Sequence, residues 1–296
     1  MIVEKTKIPY VYENTEENLE LLGQILNEYI DNLPIQRGDI LNVCINIAER
    51  VNPFEGTTYT CFSFTEGPLA DTISKMIKLP VCIENDTRSM TYAEYVKGCC
   101  KGLKDVVFVN VCWGLGIGII VNGELYYGKS GYSGEFGHNP AYNNNIICHC
   151  GKIGCVETEA SGRALKRKLT EAILAGKQSI LSDKVINRKE DLTLIDILEA
   201  IGKEDVLSLA TLQQVADELG KQLAGVINVF NPEMLVIGGE MSVTGNYLTL
   251  PITMGIMRYS LNIMNEDSKI VTSELKDQAG VLGACLMARS RLLFCS

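Results

Sequence analysis

Three cysteines fall within eight residues, as Cys148-His149-Cys150 and Cys155, and the only two histidines of this 296-residue chain, His138 and His149, lie in the same short window. Cys-x-Cys-x4-Cys with one upstream His offers three thiolates and an imidazole, a normal tetrahedral shell for structural zinc. Such a soft, sulfur-rich set favours zinc over magnesium or calcium. Gly151 and Gly154 allow the tight turns that bring the sulfurs together. The expected ligands are therefore His138, Cys148, Cys150 and Cys155, in a loop over residues 138–155. The competing readings are free thiols in a loop or a regulatory disulfide. His149 reads as a solvent-facing loop residue, because a fifth ligand is not needed. Four protein ligands leave no open coordination position, so the ion is expected to be architectural and to hold Glu135 and His138 rigidly.

Around this knot the chain alternates between helical and extended patterns. In ENLELLGQILNEYI, Leu19, Leu22, Leu26 and Ile30 share one helical face. DILNVCINI and LPVCIEN read as buried strands, with PLADTISKMIK helical between them and a helix from about Asp86 to Cys99. KDVVFVNVCWGLGIGIIVNGELYYG reads as strand, Gly-rich turn, strand and a hairpin turn at Asn122-Gly123. From Ser161 the pattern is mostly helical as far as Phe230. EMLVIGGEMS then repeats the strand-to-glycine turn, KIVTSEL offers another strand, and AGVLGACLMARSRLLF a last helix. The class is α/β. The expected seam lies near Gly102–Asp105, between a smaller lobe, 1–104, incomplete at its start, and a larger one, 105–296, whose last helix packs back on the first.

The remaining eight cysteines lie mostly in apolar stretches and read as small buried hydrophobes. With 36 acidic and 27 basic residues the net charge is −9, which argues against a surface that binds a phosphate backbone. No apolar run reaches the roughly 18–20 residues of a membrane span, and MIVEKTKIPY is not a signal peptide. The expected location is the cytoplasm.

GYSGEFGHNPAYNNNIICHCGKIGCVETEASG resembles the signature of the ROK family of repressors, open reading frames and sugar kinases: G-E-x-G-H, then C-x-C-G-x-x-G-C, then E-x-x-x-S. VCIENDTRSM, NPEMLVIGG and DQAGVLGACLMAR match further family segments, so the likeness runs from about residue 38 to 292. The resemblance implies the two-lobed actin-like ATPase (ribonuclease H-like) fold of sugar kinases, with the first lobe lacking its initial strands and a sugar or sugar phosphate bound between the lobes. The implied sugar-binding residues are Asn85, Asp86, Glu135, His138 and Glu157. In the kinases the counterpart of Asp86 is the general base. His138 could turn one ring nitrogen to zinc and the other to a sugar hydroxyl. Taken singly, Asn85-Asp86 also reads as a helix N-cap, and Glu157 as a solvated helix residue.

The nucleotide elements depart from the family pattern. The first phosphate turn of the kinases is absent from this sequence. The second, normally Thr-Gly-x-Gly-x-Gly, reads Cys112-Trp113-Gly114-Leu115-Gly116-Ile117-Gly118, with Trp113 in place of the small hydroxyl residue. A glycine turn binds phosphate only if nothing bulky fills the approach. Gly114, Gly116, Gly118, Gly238 and Gly239 are thus a degenerate nucleotide set, and MgATP is doubtful. INIAERVNPFEG carries Glu49 and Arg50 where the family has a small Pro-Gly turn; they face solvent or recognise a charged sugar.

The resemblance is closer to the family's sugar-responsive repressors than to its kinases. It implies a sugar-sensing effector domain without phosphotransfer, a homodimer or tetramer, and DNA contact only through a helix-turn-helix that this sequence does not contain. The alternative is an ATP-dependent, glucokinase-like sugar kinase with Asp86 as base. The missing first strands predict a partly exposed sheet edge in the first lobe, unless another segment covers it.

Overall fold

The computed structural model describes residues 4–294, so Cys295 lies outside them. In chain order the elements are helix α1 (Glu16–Asp31), strands β1 (Val43–Ile47), β2 (Val51–Asn52) and β3 (Thr57–Thr58), helix α2 (Leu69–Ile77), strand β4 (Val81–Asn85) and helix α3 (Asp86–Lys97). Strands β5 (Val106–Val111), β6 (Leu115–Val121) and β7 (Glu124–Leu125) follow, then helices α4 (Gly162–Leu174), α5 (Leu194–Gly202) and α6 (Val206–Phe230). Last come β8 (Met234–Gly238), α7 (Asn246–Tyr259), α8 (Asn262–Asp267), β9 (Lys269–Thr272) and α9 (Ala279–Phe294). No helix of the described residues is long and apolar enough to cross a membrane.

The chain divides into two compact units. The first takes the residues up to Ala93, the segment Tyr127–Ser133 and the residues from Gln278 onward; the second takes Glu94–Tyr126 and Gly134–Asp277. In the first unit α1 starts at Thr15, whose hydroxyl accepts the Asn18 N–H at 3.2 Å, with Glu16 and Glu17 in the first turn. Leu19 and Ile30 are buried with Ile73, Ile77 and Ile83, and Leu22 and Leu26 pack against the same cluster. Strands β1 and β4 are parallel neighbours, with Cys44 opposite Cys82.

The continuous burial expected of β1 is not found: all five of its residues are half-buried. Among the described strands β1 pairs with β4 alone, which leaves the exposed edge expected of it. Helix α9 covers part of this strand, and Asn46 donates to the Gly280 carbonyl at 2.7 Å. A buried charge network explains why chain-distant segments belong to this unit. Glu84 is fully buried and accepts from Arg88 at 2.7 Å and from Arg291 at 3.0 Å. Arg88 also donates to the carbonyls of Gly131 and Val51, and Arg291 to that of Pro53.

The second unit is built on a five-stranded sheet in the order β7-β6-β5-β8-β9. Strands β5, β6 and β7 form an antiparallel meander, while β8 and β9 run parallel to β5. The expected hairpin turn is present, with Asn122 and Gly123 both at positive φ (53° and 83°) as a type I′ turn requires. Since β8 is reached from β5 only through α4, α5 and α6, those helices cover the sheet and bury Leu165, Leu169, Leu219 and Leu223. A helix absent from the sequence expectation, Asn246–Tyr259, carries Pro251 inside it. That helix, α7, lies against α6 at Gly220 and Gly255.

A Cβ on Gly220 would overlap the Ile252 carbonyl oxygen and come within 3.0 Å of the Gly255 Cα. Helix propensity alone gives Gly220→Ala a gain of up to about 1 kcal/mol. The clash is with backbone, which cannot swing away, so overpacking of about 1–3 kcal/mol should win. Urea unfolding of Gly220→Ala should show a lower midpoint at unchanged slope; a raised midpoint would mean that the two helices are free to separate.

Candidate metal centre and its carboxylates

Two glycines fix the start of the metal loop. Gly134 has φ 91°, and a Cβ on it would overlap the Ile117 carbonyl oxygen; one on Gly137 would overlap that of Leu115. Both residues therefore lie flat against β6, and the Ile117 N–H donates to the Gly134 carbonyl at 3.0 Å. This seating gives G-E-x-G-H its spacing: Glu135 and His138 project from a short 3-10 turn, Phe136–His138, held by the strand on which the glycines rest.

The loop then folds back on itself. Pro140 bridges Cys155 and Ile147 bridges Ile153, and the Cys148 N–H donates to the Lys152 carbonyl at 2.7 Å. Gly154, at φ 71°, has no room for a side chain against the Tyr142 carbonyl. The result brings together all four expected ligands: one ligand atom from each of His138, Cys148, Cys150 and Cys155 lies within 4.8 Å of every other. Cys150 Sγ is 3.7 Å from Cys155 Sγ, and Cys148 Sγ is 3.6 Å from His138 Nδ1. Bonds of about 2.3 Å to sulfur and 2.0–2.1 Å to nitrogen in a tetrahedron give similar ligand–ligand separations. Burial and the neighbouring sulfurs push the Cys155 thiol up to about 12, and burial also raises that of Cys148. Zinc binding needs these thiols as thiolates, and a dication supplies the charge that favours that form. The donor set fits zinc. No disulfide joins any of the described cysteines.

His138 presents its two nitrogens differently. Nδ1 faces the sulfurs, while Nε2 stands 3.7 Å from Glu135 Oε2. Glu157, with 4% of its surface exposed, is buried rather than solvated. Its Oε1 is 2.7 Å from His149 Nδ1 and 3.0 Å from the Arg163 guanidinium, and its Oε2 accepts the Leu115 N–H at 3.1 Å. Burial by itself raises the Glu157 carboxyl, but the hydrogen bond and charge of His149, the charge of Arg163 and the Leu115 amide outweigh it and hold the group below its ordinary value. The residue that sequence reasoning missed is thus His149. Its ring is half-exposed, yet it lies 5.1 Å from that of His138 and ties the metal loop to Glu157. The only signal for it was that both histidines fall in one window.

Leu115, the first residue of β6, directly follows Gly114, so the amide that closes the Gly-rich turn is already bonded to a protein carboxylate. Gly114 itself lies against Glu157, where a Cβ would come 3.0 Å from Oε2. Trp113 is half-buried against the second unit's core, with Arg163 and Lys166 at 6.0 and 5.8 Å from its ring. Its carbonyl accepts the Arg163 N–H and that of Cys112 the Gly162 N–H, at the start of α4. Gly116 and Gly118 sit not in the turn but on β6, opposite Asn110 and Phe108. Gly238 ends β8 and Gly239 follows with φ 87°, its missing Cβ avoiding Asn110 and Val111. The glycines after β5 and after β8 therefore share one end of the sheet, where α/β proteins place ligands.

In the first unit Asn85 ends β4 and Asp86 opens α3. Asn85 Oδ1 accepts the Arg88 N–H at 3.0 Å as a helix cap, and its amide donates to the Glu49 carbonyl at 3.0 Å. Asp86 is half-buried and accepts the Thr87 N–H at 2.7 Å. Glu49 accepts the N–H groups of Thr60 and Cys61, and Arg50 stacks over Tyr59 at 4.3 Å, so both charges have local partners.

The fold and this loop define an α/β protein of the actin-like ATPase type. A Streptomyces griseus glucokinase solved with glucose and AMPPNP superposes with a TM-score of 0.80 at 26% identity, covering 93% of this chain and 88% of that one. A ROK family transcriptional regulator, a homologue of the E. coli MLC protein, gives 0.78 at 31%, covering 92% of this chain and 68% of its own. The ROK family pattern matches residues 2–291, and the chain belongs to the ROK family. The xylose repressor of Caldicellulosiruptor bescii is 29% identical over 95% of this chain and 70% of the repressor. The glucokinase of Halalkalibacterium halodurans is 33% identical over 73% of this chain and 66% of the enzyme, so the match spans slightly less than two thirds of that relative's length.

The Leu115 N–H and the Arg163 guanidinium both donate to Glu157. In Glu157→Gln one end of the amide must turn an NH2 toward the Leu115 N–H or toward Arg163, which should cost about 1–3 kcal/mol. Chemical denaturation should show that loss; wild-type stability would mean that the carboxylate is solvated in solution.

Proposed function

We propose that this chain is the carbohydrate-sensing effector domain of a ROK transcriptional regulator, binding a sugar or sugar derivative without phosphotransfer. The observation that carries the reading is the bond from the Leu115 amide to Glu157. A turn whose amide serves a protein carboxylate, beside a Trp113 ring flanked by two cations, is a poor cradle for the phosphates of MgATP. In this reading Glu135, His138 and Glu157 are the sugar-binding residues of the metal loop region, and Asn85 and Asp86 join them on family resemblance. Carboxylates and amides suit a ring of hydroxyls because they accept and donate several hydrogen bonds. Structural zinc on His138, Cys148, Cys150 and Cys155 keeps that loop in shape. When bound, it supplies the positive charge that lets three thiols ionise side by side. His138 then works from both nitrogens, Nδ1 toward the metal and Nε2 toward the sugar side with Glu135.

The reading places the protein in the cytoplasm, as a homodimer or tetramer. The matched repressors are longer than this chain, so DNA contact would belong to residues outside this sequence. A second reading, an ATP-dependent sugar kinase of the glucokinase kind, draws on the likeness to the Streptomyces griseus enzyme. There Asp86 would take the proton from the attacking hydroxyl.

The test is thermal stability of the zinc-loaded protein against a panel of sugars and sugar phosphates, each with and without MgATP. A ligand at a hundred times its dissociation constant should stabilise by about 2.7 kcal/mol. The sensor reading expects a shift with one class of sugar and none added by MgATP. ATP-dependent stabilisation accompanied by ADP formation would replace it with the kinase. Asp86→Asn should weaken binding of the responding sugar even without ATP. Cys150→Ser should lose metal and sugar affinity together, by about 10–100-fold for the sugar if the metal orients His138. Unchanged sugar affinity in the metal-free variant would separate the two sites.

A further inference from the structure

Helix α3 ends at Lys97, and the turn that follows reads Gly98-Cys99-Cys100-Lys101-Gly102. The two cysteines are neighbours in space as well as in sequence, with their Sγ atoms 3.8 Å apart and both thiols free. Cys99 is half-buried and Cys100 buried, while Lys101 and Gly102 beside them are exposed.

One carboxylate holds this turn. Glu94 is fully buried, and its Oε1 accepts the Ser273 hydroxyl at 2.6 Å and the Leu275 N–H at 2.9 Å. Its Oε2 accepts the Cys99 N–H at 3.1 Å and the Cys99 thiol at 3.3 Å. A Cβ on Gly98 would overlap that same oxygen, so a glycine is what lets the carboxylate reach the turn. The Gly98 and Cys100 N–H groups both donate to the Glu94 backbone carbonyl, at 3.0 and 3.2 Å. A negative side chain at the end of a helix opposes the helix dipole. Four donors offset that cost here, and two of them belong to Cys99.

We infer that Cys99 and Cys100 form a dithiol site for a trivalent arsenical, arsenous acid or an organic derivative of it, captured as one arsenic bonded to both sulfurs. Geometry favours such a bridge over the other fates of a thiol pair. Neighbouring Cα atoms are about 3.8 Å apart, below the roughly 4.4–6.8 Å usual for a disulfide, so direct closure works against the backbone. Two bonds of about 2.3 Å to one bridging atom, meeting at an angle between roughly 90° and the tetrahedral value, hold their sulfurs about 3.3–3.8 Å apart. The observed separation lies at the upper end of that span, so a bridge needs little movement. A metal ion takes more donors than two, and among the described residues the groups of three or more lie around His138 instead.

The chemistry involves no oxidation. Two As–S bonds form and two As–OH bonds break, the thiol protons leave with the hydroxides as two molecules of water, and arsenic stays trivalent. The hydrogen bond from Cys99, with burial second, pushes the Cys100 thiol up, so the first bond forms at the more accessible Cys99 and the second closes the ring. The site shares no residue with the metal loop or the proposed sugar-binding set, so either reading of the function leaves it standing.

The test is native mass spectrometry of the full zinc-loaded chain treated with phenylarsine oxide in excess 2-mercaptoethanol. Wild type should keep one more phenylarsenic group than Cys99→Ser or Cys100→Ser, and should release it to a competing dithiol such as dithiothreitol. Taking the difference between chains cancels any group held by the metal-loop thiols. Loss of either sulfur turns the chelate into a single bond, which should weaken retention by about 100-fold or more. Circular dichroism should show both variants folded; if Cys100→Ser unfolds, Cys100→Ala takes its place with the same expected loss. Equal numbers of groups on wild type and on both folded variants would overturn the inference. A single-thiol variant that keeps its group against the monothiol would overturn the bridge between Cys99 and Cys100.

Discussion

The carboxylate of Glu157 is the contact on which the candidate site depends. A buried charge is tolerated only when donors surround it, and each donor here comes from a different piece of chain. The Leu115 amide belongs to the Gly-rich turn, His149 to the metal loop and Arg163 to the first turn of α4. One side chain therefore joins three elements that the sheet alone would not hold in register. The local low dielectric strengthens those bonds and makes the loss of any one of them costly. It also connects the proposed roles, because a ligand that engages Glu157 must compete with, or join, protein groups already there.

The metal loop rests on a second constraint, backbone against backbone. Gly134 and Gly137 press on successive outward carbonyls of β6, two residues apart in the strand and three apart in the loop. Only glycine allows that approach, and the positive φ of Gly134 adds a second reason at its position. The loop is thus aligned to the sheet by these backbone contacts, and the four candidate ligand atoms lie close together.

What the sequence disclosed follows from how local the deciding physics is. The face of Leu19, Leu22, Leu26 and Ile30 and the Asn122-Gly123 turn depend on residues a few positions apart and are found as read, and the structure gathers His138, Cys148, Cys150 and Cys155 into one cluster. Burial of β1 depends on which strands flank it, which no window of residues reports, and its apolar run proved half-exposed. Helix α7 has no clear local signature, since it holds Pro251 and Gly255. Gly255 is there to meet Gly220 on the preceding helix α6, and the apolar residues of α7 fall on two faces, so no amphipathic stripe stands out. His149 was passed over on a count of metal ligands. Its partner Glu157 lies eight residues on, and the pairing exists only once the loop has closed. Asn85 shows the opposite case, since the ordinary helix-cap reading holds whatever else the residue does.

The Gly-rich turn makes the difference between sensing and phosphotransfer a matter of geometry. Phosphate binding needs several backbone amides aimed outward at one point. Sugar sensing needs only that a ligand hold one arrangement of the protein better than another. The bond from the Leu115 amide to Glu157 occupies one donor next to the turn and, in the proposed reading, strengthens a residue of the second task. Substituting Trp113 for a small hydroxyl residue acts in the same direction, because its ring packs on the core and its two cationic neighbours hold it there. Neither change disturbs the sheet that positions both. In the proposed reading, a single turn would exchange nucleotide contact for a firmer sugar-binding carboxylate while the fold that carries it stays the same.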